Sequence, residues 1–409
     1  MRTLIVSLAA LSAVIGTADA DTLAEAMTSA QESNPTLAAQ RQRLRATREA
    51  LPQALSAALP QVSVNGSATA SDRDFEDPLV PDTGRSESWA AQANVSQLLF
   101  GSGRVLASTR AARAQIAGAV ADYEGARQTL LLDVTRAYAD VLQAQAVVTA
   151  RERTVSNLQR LLDYAQAQFD AGVVTRTDVA QAQARFAQAR TQLVQAQGAM
   201  AASVEAYRRL VGRAPAGLQA PPTTVGLPSD LERALSIAVD NSPALIGAQA
   251  DTRLADANVD VAAAQGRLNV TLDAGYALGA DFDDDLSESS NDTVGVRVSV
   301  PLFQGGAIRS RTRQQRALRS ASNLDLAATE RVVQESVTNA WTGLTSARAA
   351  VESARQQVDA AALAYEGITL EQETGLRSTI DVLNQEQDLL DARLALAQAE
   401  RNLVVAEPQ

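Results

Sequence analysis

Two segments of this sequence predict α-helices far longer than those of a globular domain. Neither 103–170 nor 305–374 contains a proline, and apolar or small residues recur in both at steps of four and three, which is the period of one helix face. At 1.5 Å per residue, nearly 70 residues span about 100 Å, several times the diameter of a small domain. We therefore expect an extended helical architecture rather than one globular core.

Shorter helices are predicted beside the long ones, at 177–211 and 379–406. They match the long helices in length only if each is joined end to end with a further predicted helix, 35–56 or 243–265. Each half of the chain then supplies one continuous and one composite helix. The many alanines and glutamines favour close helix contact on one side and a wetted surface on the other, as in a hollow cylinder of helices.

The sequence contains an internal duplication. The segment 23–66 aligns without gaps on 231–274, and the motif VSQLLFGSGR from Val95 has its counterpart in VSVPLFQGGA from Val298. Such a long repeat is typical of a duplicated unit rather than of a solenoid, and a Pro- and Gly-rich stretch separates the copies. We expect a first repeat over 21–213, a linker over 214–230 and a second repeat over 231–409, each with a helix, a β-hairpin (62–99 and 270–300), a long helix and a return helix.

Each repeat also contains two segments in which apolar and polar residues alternate, as in a β-strand with one apolar face. The clearest has valine at 294, 296, 298 and 300, separated by Gly295, Arg297 and Ser299. About ten residues of this pattern can cross the hydrocarbon layer when the strand is tilted. Alternation alone is equally typical of hairpins packed on a soluble core, but the long helices offer no such core.

Four strands cannot close a barrel, and lipid does not tolerate open sheet edges. Several copies of the chain are therefore expected to pool their hairpins around one axis. The acidic segment between the second pair of strands would then lie outside the cell, and without the spacing of an EF-hand it is predicted to be a solvated turn rather than a calcium site. Its acidic residues are Asp281, Asp283, Asp284 and Asp285.

The first twenty residues have the layout of a cleavable secretory signal. Arg2 precedes an apolar run from Leu4 to Gly16, and small residues around Ala20 form the cleavage site. We expect residues 1–20 to be removed and the mature chain to begin near Asp21. No other stretch approaches the length of apolar sequence that crosses a bilayer as a helix, so entry into a membrane would be through a barrel.

The composition excludes several classes of site. With no cysteine, the chain has no disulfide, no thiolate metal ligand and no lipid attachment residue. With no histidine, Ser-His-Asp catalysis and imidazole ligands are also excluded. The formal net charge of −11 disfavours nucleic-acid binding. A hydrolase built on aspartate pairs stays possible in principle, but no two acids are identified as sharing a pocket, and we predict no enzyme, cofactor or metal site.

Three motifs, each present twice and in the same order, carry a resemblance to a known family. They are the helix starts Ser-Asn-Pro at 33–35 and Asn-Ser-Pro at 241–243, the strand ends LLFGSG and PLFQGG, and the pattern Gly-x-x-[Ser/Thr]-x-x-Asp-Val at 172–179 and 375–382. Together they resemble the TolC family of outer-membrane efflux proteins over nearly the whole mature chain. The resemblance implies a mixed membrane fold, with a long α-helical coiled-coil tunnel and a β-barrel to which each chain of a homotrimer contributes four of twelve strands.

The resemblance also implies a function and partners. The chain would be the outer-membrane exit duct of a tripartite efflux pump or a type I protein secretion system in a Gram-negative bacterium, extending into the periplasm. Its partners would be a periplasmic adaptor, an ABC or proton-driven inner-membrane transporter, and outer-membrane lipid. The alternative that the helices leave open is a soluble periplasmic coiled-coil scaffold or adaptor protein.

The resemblance assigns three groups of site residues. The first group would form a pore gate at the periplasmic mouth, although Asp178 and Asp381 would also serve simply as helix caps. Asn384 departs from a second acidic position that is common in the family. The gate residues are Asp381, Asn384, Arg377, Thr177 and Asp178.

The second group comprises the tips between the helices, as adaptor contacts or as purely architectural turns. The third comprises two aromatic residues at the membrane interface, for which plugging the interior of the strand-to-helix junction is the alternative. The tip residues are Gly172, Val173, Val174, Thr175, Gly375, Leu376 and Ser378, and the aromatic residues are Phe100 and Phe303.

Overall fold

The computed structural model describes residues 21–73, 84–222, 226–282 and 284–408. The predicted signal segment 1–20, linker residues 223–225 and Asp283 of the acidic segment lie outside the described residues. The described chain forms nine helices and four strands: α1 Leu23–Ser33, α2 Pro35–Arg48, α3 Ala50–Ser56, β1 Gln61–Arg73, β2 Gly84–Phe100, α4 Arg104–Asp170, α5 Arg176–Val211, α6 Leu231–Asn241, α7 Pro243–Ala264, β3 Asn269–Asp281, β4 Asp284–Ser299, α8 Ala307–Glu373 and α9 Thr379–Ala406. The predicted combination of long helices, return helices and two β-hairpins is confirmed.

One difference from expectation concerns the predicted helix 35–56, which the structure divides into α2 and α3. Pro52 has no N–H to donate to the carbonyl group of Arg48, and its ring crowds that carbonyl. The chain turns at Glu49, whose amide donates to the carbonyl oxygen of Ala46 at 3.2 Å. The corresponding helix α7 has proline only at its first position and runs unbroken. A single proline therefore explains the interruption.

The described chain divides into two compact units, each containing parts of both predicted repeats. The sheet unit, residues 40–125 and 239–333, contains an antiparallel sheet in the order β1-β2-β3-β4. Its central pair, β2 and β3, joins a strand of the first half of the sequence to a strand of the second half. Within the sheet, β1 and β4 each have one partner strand and therefore form the two edges.

The strand pairing places residues of one kind in rows across all four strands. One row consists of Val62, Val95, Ala274 and Val294, and the next of Ser63, Asn94, Gly275 and Thr293. Opposed residues point to the same side of a sheet, and successive residues point to opposite sides. One face is therefore apolar and the other polar, as the alternation predicts. The apolar face is exposed in the single chain, where Val64 is 76% and Val294 80% accessible.

Among the described residues, no helix combines the length and the apolar character required to cross a membrane.

The helical unit comprises the described residues within 1–39, 126–238 and 334–409. Its core includes two adjacent tyrosine rings, Tyr138 from α4 and Tyr207 from α5, with ring centroids 6.4 Å apart. Both side chains are fully buried. The hydroxyl group of Tyr138 lies 2.8 Å from the carbonyl oxygen of Asp21 and 2.6 Å from that of Gln219. Tyr138 therefore connects α4 to the start of the described chain and to the predicted linker.

Asp21 is itself buried in this core. Its carboxylate pairs with the guanidinium group of Arg213 at 2.6 Å and accepts the amide of Ala216 at 3.0 Å. Its own amide donates to the carbonyl oxygen of Ala216 at 2.9 Å. The start of the predicted mature chain is thus attached to the helical unit through both its backbone and its side chain.

The two tyrosines differ in how their hydroxyl groups are satisfied, and this predicts different effects of the same substitution. Tyr138→Phe should lower the free energy of unfolding by about 1–2 kcal/mol, because the carbonyl groups of Asp21 and Gln219 lose the one hydroxyl hydrogen that they share. Tyr207→Phe should change it little, since the Tyr207 hydroxyl is buried without a hydrogen-bond partner among the described residues. Burial, and secondarily the charge of Asp21, raise the pKa of Tyr207 to about 12, so its hydroxyl stays protonated.

Thermal unfolding of the two purified variants in detergent, compared with the unsubstituted protein, measures the difference. Equal unfolding temperatures for the two variants would contradict this account of the core.

Candidate functional site

The predicted gate residues lie on two helical hairpins with the same turn. In the first, α4 ends at Asp170 and α5 begins at Arg176; in the second, α8 ends at Glu373 and α9 begins at Thr379. Gly172 has a φ of 76° and Gly375 a φ of 78°, a conformation that glycine adopts without steric cost. Each turn is closed by an amide that donates back into the preceding helix. The amide of Val173 donates to the carbonyl oxygen of Gln168 at 2.9 Å, and that of Leu376 donates to the carbonyl oxygen of Glu371 at 2.8 Å.

The helix that follows each turn begins with a capping box, in which Thr175 or Ser378 is the N-cap and an aspartate three residues later bonds back to it. Asp178 accepts hydrogen bonds from the amide and hydroxyl groups of Thr175 at 2.9 and 2.8 Å. Asp381 accepts them from the amide and hydroxyl groups of Ser378 at 3.1 and 2.8 Å. These bonds lower the pKa of both carboxyl groups, so both are ionised at neutral pH. Helix capping, one of the two roles considered for these residues, is therefore observed.

Arg377 forms an ion pair within its own hairpin. Its Nε donates to Oε2 of Glu371 at 2.8 Å. This hydrogen bond, followed by the charges of Glu371 and Asp381, raises the pKa of Arg377. Sequence reasoning did not single out Glu371, because the partner lies across the turn and is recognised only once the turn is built. The contact joins the two sides of the second tip within one hairpin.

The remaining predicted site residues are surface residues of the single chain. Thr177 and Asn384 are exposed, and the two tips present apolar side chains, with Val173 69% and Leu376 77% accessible. Gly172, Gly375, Thr175 and Ser378 are exposed as well, and Val174 is half-buried. The tips therefore offer small apolar surfaces at the ends of two helical hairpins.

The two predicted interface aromatics lie where strands meet helices. Phe100 is opposite Val270, across an irregularity in the register between Leu98 and Phe100, and is therefore on the apolar face of the sheet. It is 53% accessible, and Phe303, which follows β4, is 87% accessible. Neither ring plugs the interior of the junction within the single chain.

Comparison with known proteins decides the identity of the chain. The model of the family described as outer membrane efflux protein matches residues 26–213 and 234–409. The chain belongs to this family.

Two curated relatives and one solved structure are similar to this chain over nearly its whole length. The outer membrane efflux protein BepC of Brucella suis is 28% identical over 391 residues, 94% of this chain and 83% of BepC. The outer membrane protein TolC of Vibrio cholerae is 28% identical over 410 residues, 97% of this chain and 92% of TolC. The crystal structure of VceC, also from Vibrio cholerae, shares the fold with a TM-score of 0.79 and 21% identity, over 94% of each chain.

Membership in the outer membrane efflux protein family determines location and class. The chain is a channel component of the outer membrane of a Gram-negative bacterium and not an enzyme. A soluble periplasmic scaffold, the alternative interpretation of the helices, is not supported.

One residue of this efflux protein that sequence reasoning missed is Glu386 on α9. Its side chain is 1% accessible, beneath the second tip. Val382, Glu386 and Leu390 are spaced by four residues, which puts them on one face of the helix. This spacing was the available signal that Glu386 points into the core.

Proposed function

We propose that three copies of this chain form a continuous exit duct, with a twelve-stranded barrel in the outer membrane and a helical tunnel below it. The observation that carries the proposal is the sheet itself, which has one exposed apolar face and two open edges, β1 and β4. Open edges are not tolerated in lipid, and pairing β4 of one copy with β1 of the next removes all of them.

The duct serves a periplasmic adaptor and an inner-membrane transporter, either ABC or proton-driven. Relatives of this chain include proteins named for efflux and for protease secretion, which supports both a tripartite efflux pump and a type I secretion system as its context. The apolar tips at Val173 and Leu376 are the surfaces that the adaptor contacts. Phe100 and Phe303 lie at the periplasmic lipid interface, where aromatic residues are favoured.

The chain is organised as a removed signal, 1–20, and two repeats, 21–213 and 231–409, joined by the linker 214–230. The family model matches in two segments, one in each repeat, and the order of helices and strands recurs in each half. Both observations support an origin by duplication.

Assembly through the sheet edges can be tested by cross-linking, because the chain has no cysteine of its own. Because barrel closure staggers neighbouring strands, Ser63→Cys on β1 is combined in turn with a cysteine at each polar-face position of β4 from Ser289 to Ser299. At least one of these double variants should give covalent dimers and trimers with a short bismaleimide. Each single variant is the control, since the proposed contact joins β1 to β4. If every double variant stays monomeric by cross-linking and by mass in detergent, the duct is refuted.

The gate at the periplasmic mouth consists of Asp381, Asn384, Arg377, Thr177 and Asp178. Threefold symmetry brings three Asp381 carboxylates around one axis, where they attract cations and resist tight closure. The described contacts of Arg377 and Asp178 lie within their own hairpins. The ties that hold neighbouring helices shut therefore form between copies, and opening exchanges them for adaptor contacts.

Two substitutions of Asp381 separate its charge from its capping role. Asp381→Asn keeps an oxygen that accepts from Ser378 but removes the charge, whereas Asp381→Ala removes both, at a cost of about 1 kcal/mol in helix stability. Both variants should lose most of the cation preference of the reconstituted channel, measured by the reversal potential in a salt gradient. Unchanged selectivity in both would remove Asp381 from the gate.

A further inference from the structure

Glu386 is a buried acid with an incomplete set of hydrogen bonds. Its Oε2 accepts the side-chain amide of Asn157 from α4 at 2.9 Å. Its Oε1 is buried and has no hydrogen-bond partner among the described residues. A buried carboxylate oxygen without a donor is costly when the group is ionised. The ionised form is therefore the less favourable one at this position.

The surroundings of Glu386 suit a group that changes protonation state. Beside it lie the hydroxyl groups of Thr154 on α4 and Tyr365 on α8, which with Asn157 favour the ionised form but do not outweigh burial. Oγ1 of Thr154 makes no geometrically ideal hydrogen bond among the described residues. A hydroxyl group can donate to a carboxylate or accept from a protonated carboxyl group. A cavity of about 10 Å³ lined by Thr154 and Glu386 has room for one water molecule. Like a hydroxyl group, a water molecule can both donate and accept a hydrogen bond.

The charged groups around the site come from three helices. Arg160 on α4 donates to Oδ1 of Asn157 at 2.6 Å and so orients the amide that holds Glu386. Arg185 on α5 lines the cavity, and Arg393 on α9 weakly favours the ionised form. From α8 the titratable group is Tyr365, whose pKa is raised, first by burial and then by Glu386. No arginine contacts Glu386 within salt-bridge distance in the described chain, so burial dominates.

The site is embedded in the apolar cluster that supports the tips. Leu158 and Leu161 of α4, Ala189 of α5, and Val382 and Leu383 of α9 form this cluster. Val382 directly follows the helix cap Asp381. Any change in how tightly α9 packs on α4 at Glu386 therefore acts within a few residues of the proposed gate.

We propose that Glu386, with the hydroxyl groups of Thr154 and Tyr365, is a proton-binding site whose occupation tightens the packing of α9 against α4 and disfavours opening of the duct. The ligand is a proton taken up from the periplasm. This inference rests on the proposed duct and gate.

The sign of the pH effect follows from the direction of the pKa shift. Burial raises the pKa of Glu386, so between its ordinary value and the raised value the packed state binds more protons than a state in which the site is hydrated. The packed state is then most stable at low pH and loses stability as pH rises through the raised pKa. Asp178 and Asp381 have lowered pKa values and titrate below this window.

Single-channel conductance of the reconstituted protein between pH 8 and pH 5 tests the proposal. The open probability of the unsubstituted channel should fall on acidification, by up to about tenfold for each unit by which the pKa is raised. Glu386→Gln, which mimics the protonated acid, should give a low open probability at every pH. Asp391→Asn removes an exposed carboxylate from another face of the same helix and should behave like the unsubstituted channel.

A second measurement tests the proton-binding site independently of the proposed duct. Hydrogen exchange, corrected for the intrinsic pH dependence, should show segments 154–161 and 382–390 becoming more protected on acidification, but not in Glu386→Gln. If no variant conducts, the proposed duct fails while the exchange result still decides the proton site. Equal pH dependence in the unsubstituted protein and in Glu386→Gln, by either method, would overturn the proposal.

Discussion

Replacing Val296 with arginine should prevent stable accumulation of the protein in the outer membrane, although this side chain is 62% accessible in the single chain. Val296 lies opposite Leu272 on the apolar face of the sheet. Near the middle of a bilayer, an arginine facing lipid costs about 2–4 kcal/mol. This cost would be incurred in each of the three chains that form the duct.

The chain offers a matched control at the neighbouring position. Gly295 is on the polar face, opposite Asp273, and has open space where a side chain would begin. The Gly295→Arg variant should therefore accumulate normally, because the same face already carries an arginine at position 297. The measurement is the amount of each variant in the outer-membrane fraction and its migration on gels without heating. Equal accumulation of the two variants would mean that the apolar face does not contact lipid.

Asp21→Ala should lower the free energy of unfolding by about 3 kcal/mol. The substitution removes two charge-assisted hydrogen bonds, from Arg213 and from the amide of Ala216, which typically contribute about 1.5–3 kcal/mol each. The expected loss is below the sum of the two contributions, because the Arg213 side chain is 46% accessible and water replaces part of its interaction with the carboxylate.

Thermal unfolding in detergent measures this loss, and the mass of the purified chain checks that signal removal is unchanged. Asp21→Asn, which keeps an acceptor for the Ala216 amide, should lose about half as much. An unfolding temperature of Asp21→Ala within error of the unsubstituted protein would show that Asp21 does not hold the start of the chain.

The features that the sequence predicted well are those with a strong local period. Alternation over β4 was enough to assign the apolar face, and the recurrence of Gly172 and Asp178 as Gly375 and Asp381 was enough to place two equivalent turns. Local sequence determines these features because side-chain direction in a strand and backbone conformation at a turn depend on few neighbours.

Features that depend on distant partners were missed. The spacing of Val382, Glu386 and Leu390 indicates only that Glu386 faces the core. Its hydrogen bond with Asn157 joins residues 229 apart along the chain, and no local pattern encodes that contact. The break between α2 and α3 was overlooked because the duplication suggested a helix as continuous as α7, while Pro52 has no counterpart there. The pore roles of Asp381 and Asp178 stay predictions, since they require more than one copy of the chain.

The pairing of β2 with β3 has a consequence for biogenesis. These central strands are separated in sequence by α4, α5, α6 and α7, so the sheet cannot form until the ribosome has made most of the polypeptide. Contacts of such high sequence separation fold slowly. Newly exported chains should therefore spend time with exposed apolar strands, and a periplasmic chaperone would be needed to keep them from aggregating.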